Sequence, residues 1–190
     1  MEDSLIKSRD SFLKLSRTST EHRNSLLQGM RDALIANRVE IEAANAEDLA
    51  ESKQLAAEGK LSQTLVERLG LYGTKFDSLM NMVDSVSKLA DPLGNVSYSH
   101  DMLSDGSLSV HRVSCAIGVI AVIFESRPEA AVQIASLCIK SGNAVLLKGG
   151  KEVSIETYTN FGLTYSRPKT LQVHQFEGNR LFLTQKLNLF

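Results

Sequence analysis

Two short charged segments of this sequence carry residue types that can hold an anionic or hydroxylated ligand. One is Glu-Ser-Arg-Pro-Glu at 125–129, which follows the apolar run 117–124. The other is Lys-Gly-Gly-Lys-Glu at 148–152, which follows the shorter apolar run 144–147. Lysine and arginine can pair with phosphate or carboxylate groups, so both segments are candidates for a binding site.

Individual residues in these segments suggest separate roles. Lys148 can donate to sugar hydroxyls or pair with a phosphate, while Gly149 and Gly150 let the backbone approach a ligand closely. Arg127 can bind a carboxylate or a phosphate through two parallel hydrogen bonds. Taken alone, a Lys-Gly-Gly turn is more often a solvated loop, and a single arginine is more often a surface or ion-pair residue. The sequence contains neither G-x-G-x-x-G nor G-x-x-x-x-G-K-[ST], so the two standard phosphate-binding motifs do not apply.

The elements that must position these segments are a strand, a helix and a second strand. The run 117–124 is β-branched and uncharged, which is typical of a central strand covered on both faces. Pro128 suits the first turn of a helix, and Gly142 suits the position just after its end. The run 144–147 is predicted to be the second buried strand. Because the carboxyl ends of parallel strands open on one edge of a sheet, we expect the two charged segments to converge there.

The first ninety residues have the spacing of amphipathic helices. Thr18 and Glu21 have capping-box spacing, and the apolar stripe that follows either continues past Asn37 or breaks there. A shorter helix is predicted over 62–69, and another begins at Thr74, a good N-cap residue. The N-terminal part is therefore predicted to be a helical layer.

Residues 96–113 have a different pattern, which is polar and compatible with β-strands around Asp105-Gly106. An Asp-Gly pair in this setting predicts a hairpin, here an exposed ribbon available for pairing with another element or subunit. The tail at 153–190 shows neither a sustained helical stripe nor a third buried strand, and a disordered segment fits this pattern.

Composition and charge exclude several classes of protein. The formal net charge is −1, so no global positive field favours nucleic acid or an anionic membrane. The longest apolar run is far shorter than the roughly 20 residues that span a bilayer. The mixed charges of residues 1–10 do not fit a secretory signal. A reducing, cytoplasmic setting is therefore expected.

The sequence contains two cysteines and four histidines, which limits its thiol and metal chemistry. Cys138 lies on the apolar face of the predicted helix and Cys115 precedes a buried strand, so both are interpreted as structural residues. Neither has an obvious histidine partner. The histidines show no metal-ligand spacing and are interpreted as surface residues, so no metal site is predicted.

The same charged segments carry a family resemblance. Residues 117–129 (IGVIAVIFESRPE) and 134–152 (IASLCIKSGNAVLLKGGKE) resemble gamma-glutamyl phosphate reductase, also called glutamate-5-semialdehyde dehydrogenase. This enzyme also forms the C-terminal half of the bifunctional pyrroline-carboxylate synthetases. Weaker similarity occurs at 45–50, 65–69 and 91–94. The resemblance therefore covers about residues 5–152.

The resemblance implies an aldehyde-dehydrogenase-like α/β fold. Such a fold combines N-terminal helices with a Rossmann-like parallel sheet, incomplete here, and a β-hairpin ribbon used for oligomerisation. It implies NADPH-dependent reduction of L-glutamate 5-phosphate to L-glutamate 5-semialdehyde with release of phosphate, a step of proline biosynthesis. Residues 1–152, with the hairpin near 96–113, are thus expected to be a partial NADP-binding domain, and 153–190 a divergent tail. A homo-oligomer, or association with a full-length subunit, is expected.

The resemblance also suggests roles for residues. Lys148 matches the lysine that holds the adenosine ribose of the cofactor, and Gly149 and Gly150 lie beside it. Ser126 falls where many aldehyde dehydrogenases place an oxyanion-stabilising asparagine, and it donates a weaker hydrogen bond or only leaves space. Arg127 is assigned to the anionic groups of the substrate from its charge and not from the resemblance.

The nucleophile of the family has no counterpart in this pattern. In the family a cysteine thiolate displaces phosphate and forms a thioester, which hydride then reduces. Neither Cys115 nor Cys138 sits at that position, so no catalytic residue is assigned. Three hypotheses follow: a truncated and inactive reductase, a non-catalytic module that pairs with a full-length subunit, or an unstable product whose incomplete sheet promotes aggregation.

Overall fold

The computed structural model describes residues 2–125 and 127–149, together with four short strands further along the chain. Ser126, residues 150–152 and most of 153–190 lie outside the described residues, so what the sequence analysis expects of them remains a prediction. The helices are α1 (Glu2–Leu15), α2 (Thr20–Ala36), α3 (Arg38–Ala57), α4 (Gln63–Leu69), α5 (Thr74–Lys88) and α6 (Pro128–Lys140). The strands are β1 (Val96–Asp101), β2 (Ser109–Val113), β3 (Val119–Ile123), β4 (Ala144–Lys148), β5 (Tyr165–Ser166), β6 (Thr170–Gln172), β7 (His174–Glu177) and β8 (Arg180–Phe182).

The helical layer follows the predicted pattern, with small shifts at the helix starts. The N-cap of α2 is Ser19, whose hydroxyl accepts a hydrogen bond from the His22 N–H at 3.2 Å, so Thr18 is not the cap. The apolar stripe breaks at Asn37, which separates α2 from α3. Thr74 is the first residue of α5, and Gly73 precedes it as N-cap with a positive φ of 54°. Thr18 instead donates to the Leu15 carbonyl at the end of α1.

The hydrophobic core lies where α2, α5 and α6 meet β4. Its buried side chains come from all four elements and include Leu27, Leu34, Phe76, Val83, Ala131, Ile139 and Leu147. In α5 the buried residues lie at positions 76, 79, 80, 83 and 86, which are three, four, seven and ten places from the first, so they form one stripe on one helix face. This stripe packs against α6, the helix that follows β3, and holds it in place.

The main sheet places the two predicted strands side by side. Strands β3 and β4 pair in parallel, from Val119 opposite Ala144 to Ile123 opposite Lys148. Strand β4 also pairs with the antiparallel strand β6, which pairs in turn with β5. A third strand therefore lies beside β4, in the tail where the sequence pattern indicated no third buried strand. This strand, β6, pairs antiparallel with β4, unlike the further parallel strands that a βαβ unit requires.

The prediction that 117–124 is a central strand covered on both faces is wrong for the described residues. Strand β3 lies at the edge of its sheet, and its burial alternates along the chain. Ile120 and Val122 pack against the core, whereas Val119 is 37% exposed and Ile123 is 71% exposed. Among the described elements α1 approaches the start of β3 near Val119, and the end of the strand at Ile123 stays exposed, although its residues are as apolar as those of a covered strand.

The predicted hairpin is present, with a longer connection than a two-residue turn. Strands β1 and β2 pair antiparallel, with a register irregularity near Val96, and residues 102–108 connect them. In this connection the Asp105 carboxylate accepts hydrogen bonds from the Ser107 N–H at 3.0 Å and the Ser107 hydroxyl at 2.7 Å, and Gly106 has a φ of 69°. Every residue of both strands is exposed, so the ribbon stands away from the core.

Candidate functional site

The carboxyl ends of β3 and β4 lie next to each other. Ile123 is paired with Lys148, and the Phe124 N–H donates to the Lys148 carbonyl at 3.0 Å. Glu125 and Gly149, the residues that directly follow Phe124 and Lys148, therefore begin at neighbouring positions on one edge of the sheet. The predicted convergence of the two strand ends is confirmed.

Lys148 is well placed to meet a ligand at this edge. The four preceding residues of β4 are buried, and Lys148 is the first exposed one. Its ammonium forms no ion pair with any carboxylate in the described part of the chain. An exposed lysine at the end of a buried strand can bind a phosphate or donate to sugar hydroxyls. Gly149, which follows it, is half-buried.

Arg127 begins the helix that follows β3. It is the N-cap residue of α6, with backbone angles φ −142° and ψ 83°, and its side chain is exposed and makes no capping hydrogen bond. Pro128 occupies the first turn, as predicted, because its missing N–H is not required there. Arg127 therefore lies, with an exposed side chain, between the end of β3 and the first turn of α6.

Asn143 fixes the opposite ends of the two strands, and the sequence analysis missed it. Its side-chain carbonyl accepts from the Ile117 N–H at 2.7 Å and the Gly118 N–H at 2.9 Å. Its amide group donates to the carbonyl and the hydroxyl of Ser141 at 3.1 and 2.9 Å. The side chain thus ties the turn before β4 to the start of β3, which helps to set their register. An asparagine directly after the helix-ending Gly142 is the signal that could have indicated this role.

A buried lysine holds α6 against the helical layer. Lys140 is 3% exposed, and its ammonium donates to the Asn24 side chain and the Ser87 carbonyl, both at 2.8 Å. These contacts join the last turn of α6 to α2 and α5. A positive charge also interacts favourably with the carbonyl groups at the end of a helix.

A second buried charge, on Arg23, lies in α2 of the same helical layer. Arg23 is buried and pairs with Asp91 at 2.6 Å, and its guanidinium also donates to the Thr18 carbonyl. Burial alone would raise the pKa of Asp91, but hydrogen bonds from the Thr20 hydroxyl and the Leu93 N–H, together with Arg23, lower it. The chain after α5 is thereby anchored to the start of α2.

The two cysteines lie in different surroundings. Cys138 is buried, and desolvation raises the pKa of its thiol to about 11, so its core role is confirmed. Cys115 is exposed, because it lies in the segment that leads from the hairpin to β3. Its interpretation as a structural residue beside a buried strand is therefore not supported by its packing. A thiol with a pKa about 11 is a poor nucleophile at neutral pH.

The structure indicates neither a metal centre nor a membrane span among the described residues. No group of three or more His, Cys, Asp or Glu side chains is arranged to hold a metal ion in that part of the chain. His22, His100 and His111 are exposed, as predicted. No described helix combines the length and the apolar character that crossing a bilayer requires.

Comparisons with known proteins agree with the predicted resemblance. No protein-family model matches the chain. The probable gamma-glutamyl phosphate reductase of Schizosaccharomyces pombe is 43% identical over 153 residues, which are 80% of this chain and 34% of that protein. The crystal structure of gamma-glutamyl phosphate reductase from Saccharomyces cerevisiae matches with 39% identity and a TM-score of 0.77, over 84% of this chain and 39% of that one.

A more distant comparison supports the predicted fold class. Methylmalonate-semialdehyde dehydrogenase from Oceanimonas doudoroffii has 15% identity and a TM-score of 0.57, over 84% of this chain and 29% of its own. At that identity the likeness concerns the fold alone. The chain spans about a third of the length of the S. pombe relative, 34%. Over most of its length it is therefore similar to the N-terminal part of gamma-glutamyl phosphate reductases and has the aldehyde-dehydrogenase fold of that region.

Proposed function

We propose that this chain is the cofactor-binding N-terminal part of an NADPH-dependent reductase of proline biosynthesis. The reaction is the reduction of L-glutamate 5-phosphate to L-glutamate 5-semialdehyde with release of phosphate. The observation that carries this proposal is the pair of charged segments at neighbouring strand ends, in a chain 43% identical to a probable gamma-glutamyl phosphate reductase. As part of a biosynthetic enzyme with two free cysteines, it fits a reducing cytoplasmic setting.

The residues at the sheet edge fit one half of a dinucleotide. Lys148 is exposed and without an ionic partner in the described residues, so it can donate to the adenosine ribose or a phosphate. Gly149 and Gly150 follow it and allow the backbone to approach the cofactor. Ser126 can donate to a developing oxyanion, and Arg127 can pair with an anionic group of the substrate. When bound, the nicotinamide supplies the hydride.

The chain as it stands is proposed to bind cofactor without turnover. The thioester chemistry of the family requires an activated cysteine thiolate. Cys138 is buried with a raised pKa of about 11, and Cys115 precedes β3, away from the carboxyl edge. On this proposal the nucleophile comes from residues beyond the matched segment.

The proposal is tested by measuring NADPH binding to the purified chain by fluorescence. We expect Lys148→Met to weaken NADPH binding by about tenfold, because it removes a charge-assisted contact. Lys53→Met on the exposed side of α3 serves as the matched control. Binding that is equal in both variants would refute the assignment of Lys148, and NADH measured in parallel tests the choice of cofactor.

Turnover gives an independent test of the missing nucleophile. The chain is incubated with L-glutamate 5-semialdehyde, phosphate and NADP, and NADPH formation is followed by absorbance. We expect no phosphate-dependent formation of NADPH. Clear turnover would show that a nucleophile is present in these 190 residues.

The exposed hairpin favours a second candidate function, that of a non-catalytic interaction module. Val96, Tyr98 and Val110 are about half exposed, and both strands of the ribbon are solvated on both faces. Such a ribbon can pair with a second copy or with a full-length subunit. Light scattering and co-purification with a full-length reductase test this function, and a strictly monomeric chain that does not associate would exclude it.

A further inference from the structure

Strand β3 has one edge whose backbone groups pair with no described strand. Beside β3, the Gly118 carbonyl accepts from β4 at 3.1 Å and the Phe124 N–H donates to β4 at 3.0 Å. Because backbone directions alternate along a strand, the even-numbered residues face β4. The N–H and carbonyl groups of Val119, Ala121 and Ile123 therefore point away from β4, along the free edge.

This edge carries none of the features that keep two edge strands apart. Natural edge strands commonly have charges, prolines or bulges that prevent pairing with another chain. The run 117–124 contains no charged residue and no proline, and its pairing with β4 continues from Val119 to Ile123 without a register shift. The edge is therefore a template on which another extended strand can form hydrogen bonds.

The outer face of the same strand is apolar and exposed. Ile120 and Val122 pack against the core, whereas Val119, Ala121 and Ile123 are exposed on the other face. At the start of this face, α1 and β3 form a groove with apolar side chains on both walls. An exposed apolar face beside an unpaired edge fits a protein interaction surface.

Two opposite charges lie at the two ends of this surface. Arg9 of α1 lines the groove at the start of β3, and Glu125 follows the end of the strand. Both side chains are exposed, and neither forms an ion pair or a side-chain hydrogen bond with another described residue. A surface with a positive and a negative end is complementary to the same surface turned by 180°.

We propose that two copies of this chain form a symmetric dimer through their β3 edges. The two strands run antiparallel, with Ala121 of one copy opposite Ala121 of the other. The outward backbone groups of Val119, Ala121 and Ile123 then each find a partner. In this register Val119 of one copy lies opposite Ile123 of the second copy, so the apolar outer faces form one continuous surface.

The same register brings the charges together. Glu125 of one copy lies level with Ile117 of the second copy, because each is four residues from Ala121. Ile117 lines the groove that contains Arg9, so the Arg9 guanidinium of each copy pairs with the Glu125 carboxylate of the other. A second copy thus satisfies the open edge and both charges by symmetry. This inference goes beyond the proposed function and does not depend on cofactor binding.

Analytical ultracentrifugation of the purified chain over a range of concentrations measures the dissociation constant of the dimer. We expect Ala121→Pro to raise it by at least about 100-fold, because it removes the central N–H donor of the interface. That N–H points away from β4, so the pairing of β3 with β4 keeps its hydrogen bonds. Ile123→Lys, at an exposed position, should act in the same direction. Val110→Lys in the hairpin is the matched control and should leave the constant within about twofold.

Charge exchange tests the register of the two strands. Arg9→Glu and Glu125→Arg each place like charges together on both sides of the dimer, so each should raise the dissociation constant by about tenfold. A one-to-one mixture of these variants should recover the original affinity, because the substituted position 9 of one copy meets the substituted position 125 of the other. Arg17→Glu and Glu51→Arg, at exposed positions, are controls that should associate like the unsubstituted chain, alone and mixed.

Three results would overturn the proposal. The first is a chain that stays monomeric at every concentration, including one that associates with a full-length reductase and not with itself. The second is a dimer that Val110→Lys dissociates and that Ala121→Pro and Ile123→Lys leave intact, which would assign association to the hairpin. The third is a mixture of the charge variants that associates no better than either alone. Unfolding midpoints confirm that each variant is folded.

Discussion

Strands β3 and β4 are neighbours in one sheet and have similarly apolar sequences, yet their surroundings differ. Strand β4 has four successive buried residues, from Ala144 to Leu147, because both α6 and α1 contact it and sheet neighbours flank it on both sides. Strand β3 alternates exposed and half-buried residues. The difference shows that an apolar composition makes a strand suitable for burial. Whether the strand is buried depends on which other elements pack against it.

The largest expected effect is on the free energy of unfolding, and it is tested by truncating one residue in β4 and one in β3. Leu147→Ala should lower the free energy of unfolding by about 2–5 kcal/mol, because Leu147 is fully buried and its removal leaves a cavity. Ile123→Ala should lower it by about 0.5 kcal/mol, because most of that side chain is already in water. Urea unfolding at concentrations where the chain is monomeric, followed by circular dichroism, measures both. Equal losses would show that the outer face of β3 is covered in solution.

Thiol labelling sharpens the same contrast through the two cysteines. At about pH 8 only about one in a thousand Cys138 thiols is ionised, because burial raises its pKa to about 11. Iodoacetamide should therefore label the exposed Cys115 at least about 100-fold faster than Cys138. Mass spectrometry of the native chain should show one label, and two after denaturation in urea. Early labelling of Cys138 would mean that the α6 side of the core opens readily.

The tie between the two strands gives a third test. Asn143→Ala should destabilise the chain by about 1–3 kcal/mol, because it leaves the Ile117 and Gly118 N–H groups without their acceptor. Hydrogen exchange should show these two amides losing protection first. The exposed Asn81→Ala is the matched control and should have little effect. Unchanged protection in Asn143→Ala would show that pairing with β4 alone holds the start of β3.

The smallest effect is the pH dependence contributed by Asp91. Its pKa is lowered below the ordinary value of 3.8, so its contribution to stability is present above that value and is lost as the pH falls through the lower, folded value. Asp91→Asn should flatten the decline of the melting temperature in acid and leave less stability near neutral pH. A variant that keeps the full acid-dependent decline would show that other carboxylates cause it.

Much of the helical layer and the strand–helix–strand unit could be predicted from local pattern. The heptad-like stripe of α5, Pro128 at the start of α6 and Gly142 at its end each act within a few residues, so neighbouring sequence specifies them. The Asp105-Gly106 pair likewise marked the hairpin. The convergence of the charged segments followed from a general property of parallel sheets and needed no knowledge of distant contacts.

The sequence alone determined that two strands separated by a helix would bring Arg127 and Lys148 to one edge, because strand and helix periodicity are local. Only the tertiary structure decided that β3 lies at an edge, that Arg23 meets Asp91 across 68 positions, and that Arg9 and Ile117 line one groove. Contacts of this kind join residues far apart in the chain. The packing of whole helices and strands decides which side chains meet in such contacts. The local sequence pattern does not encode that packing.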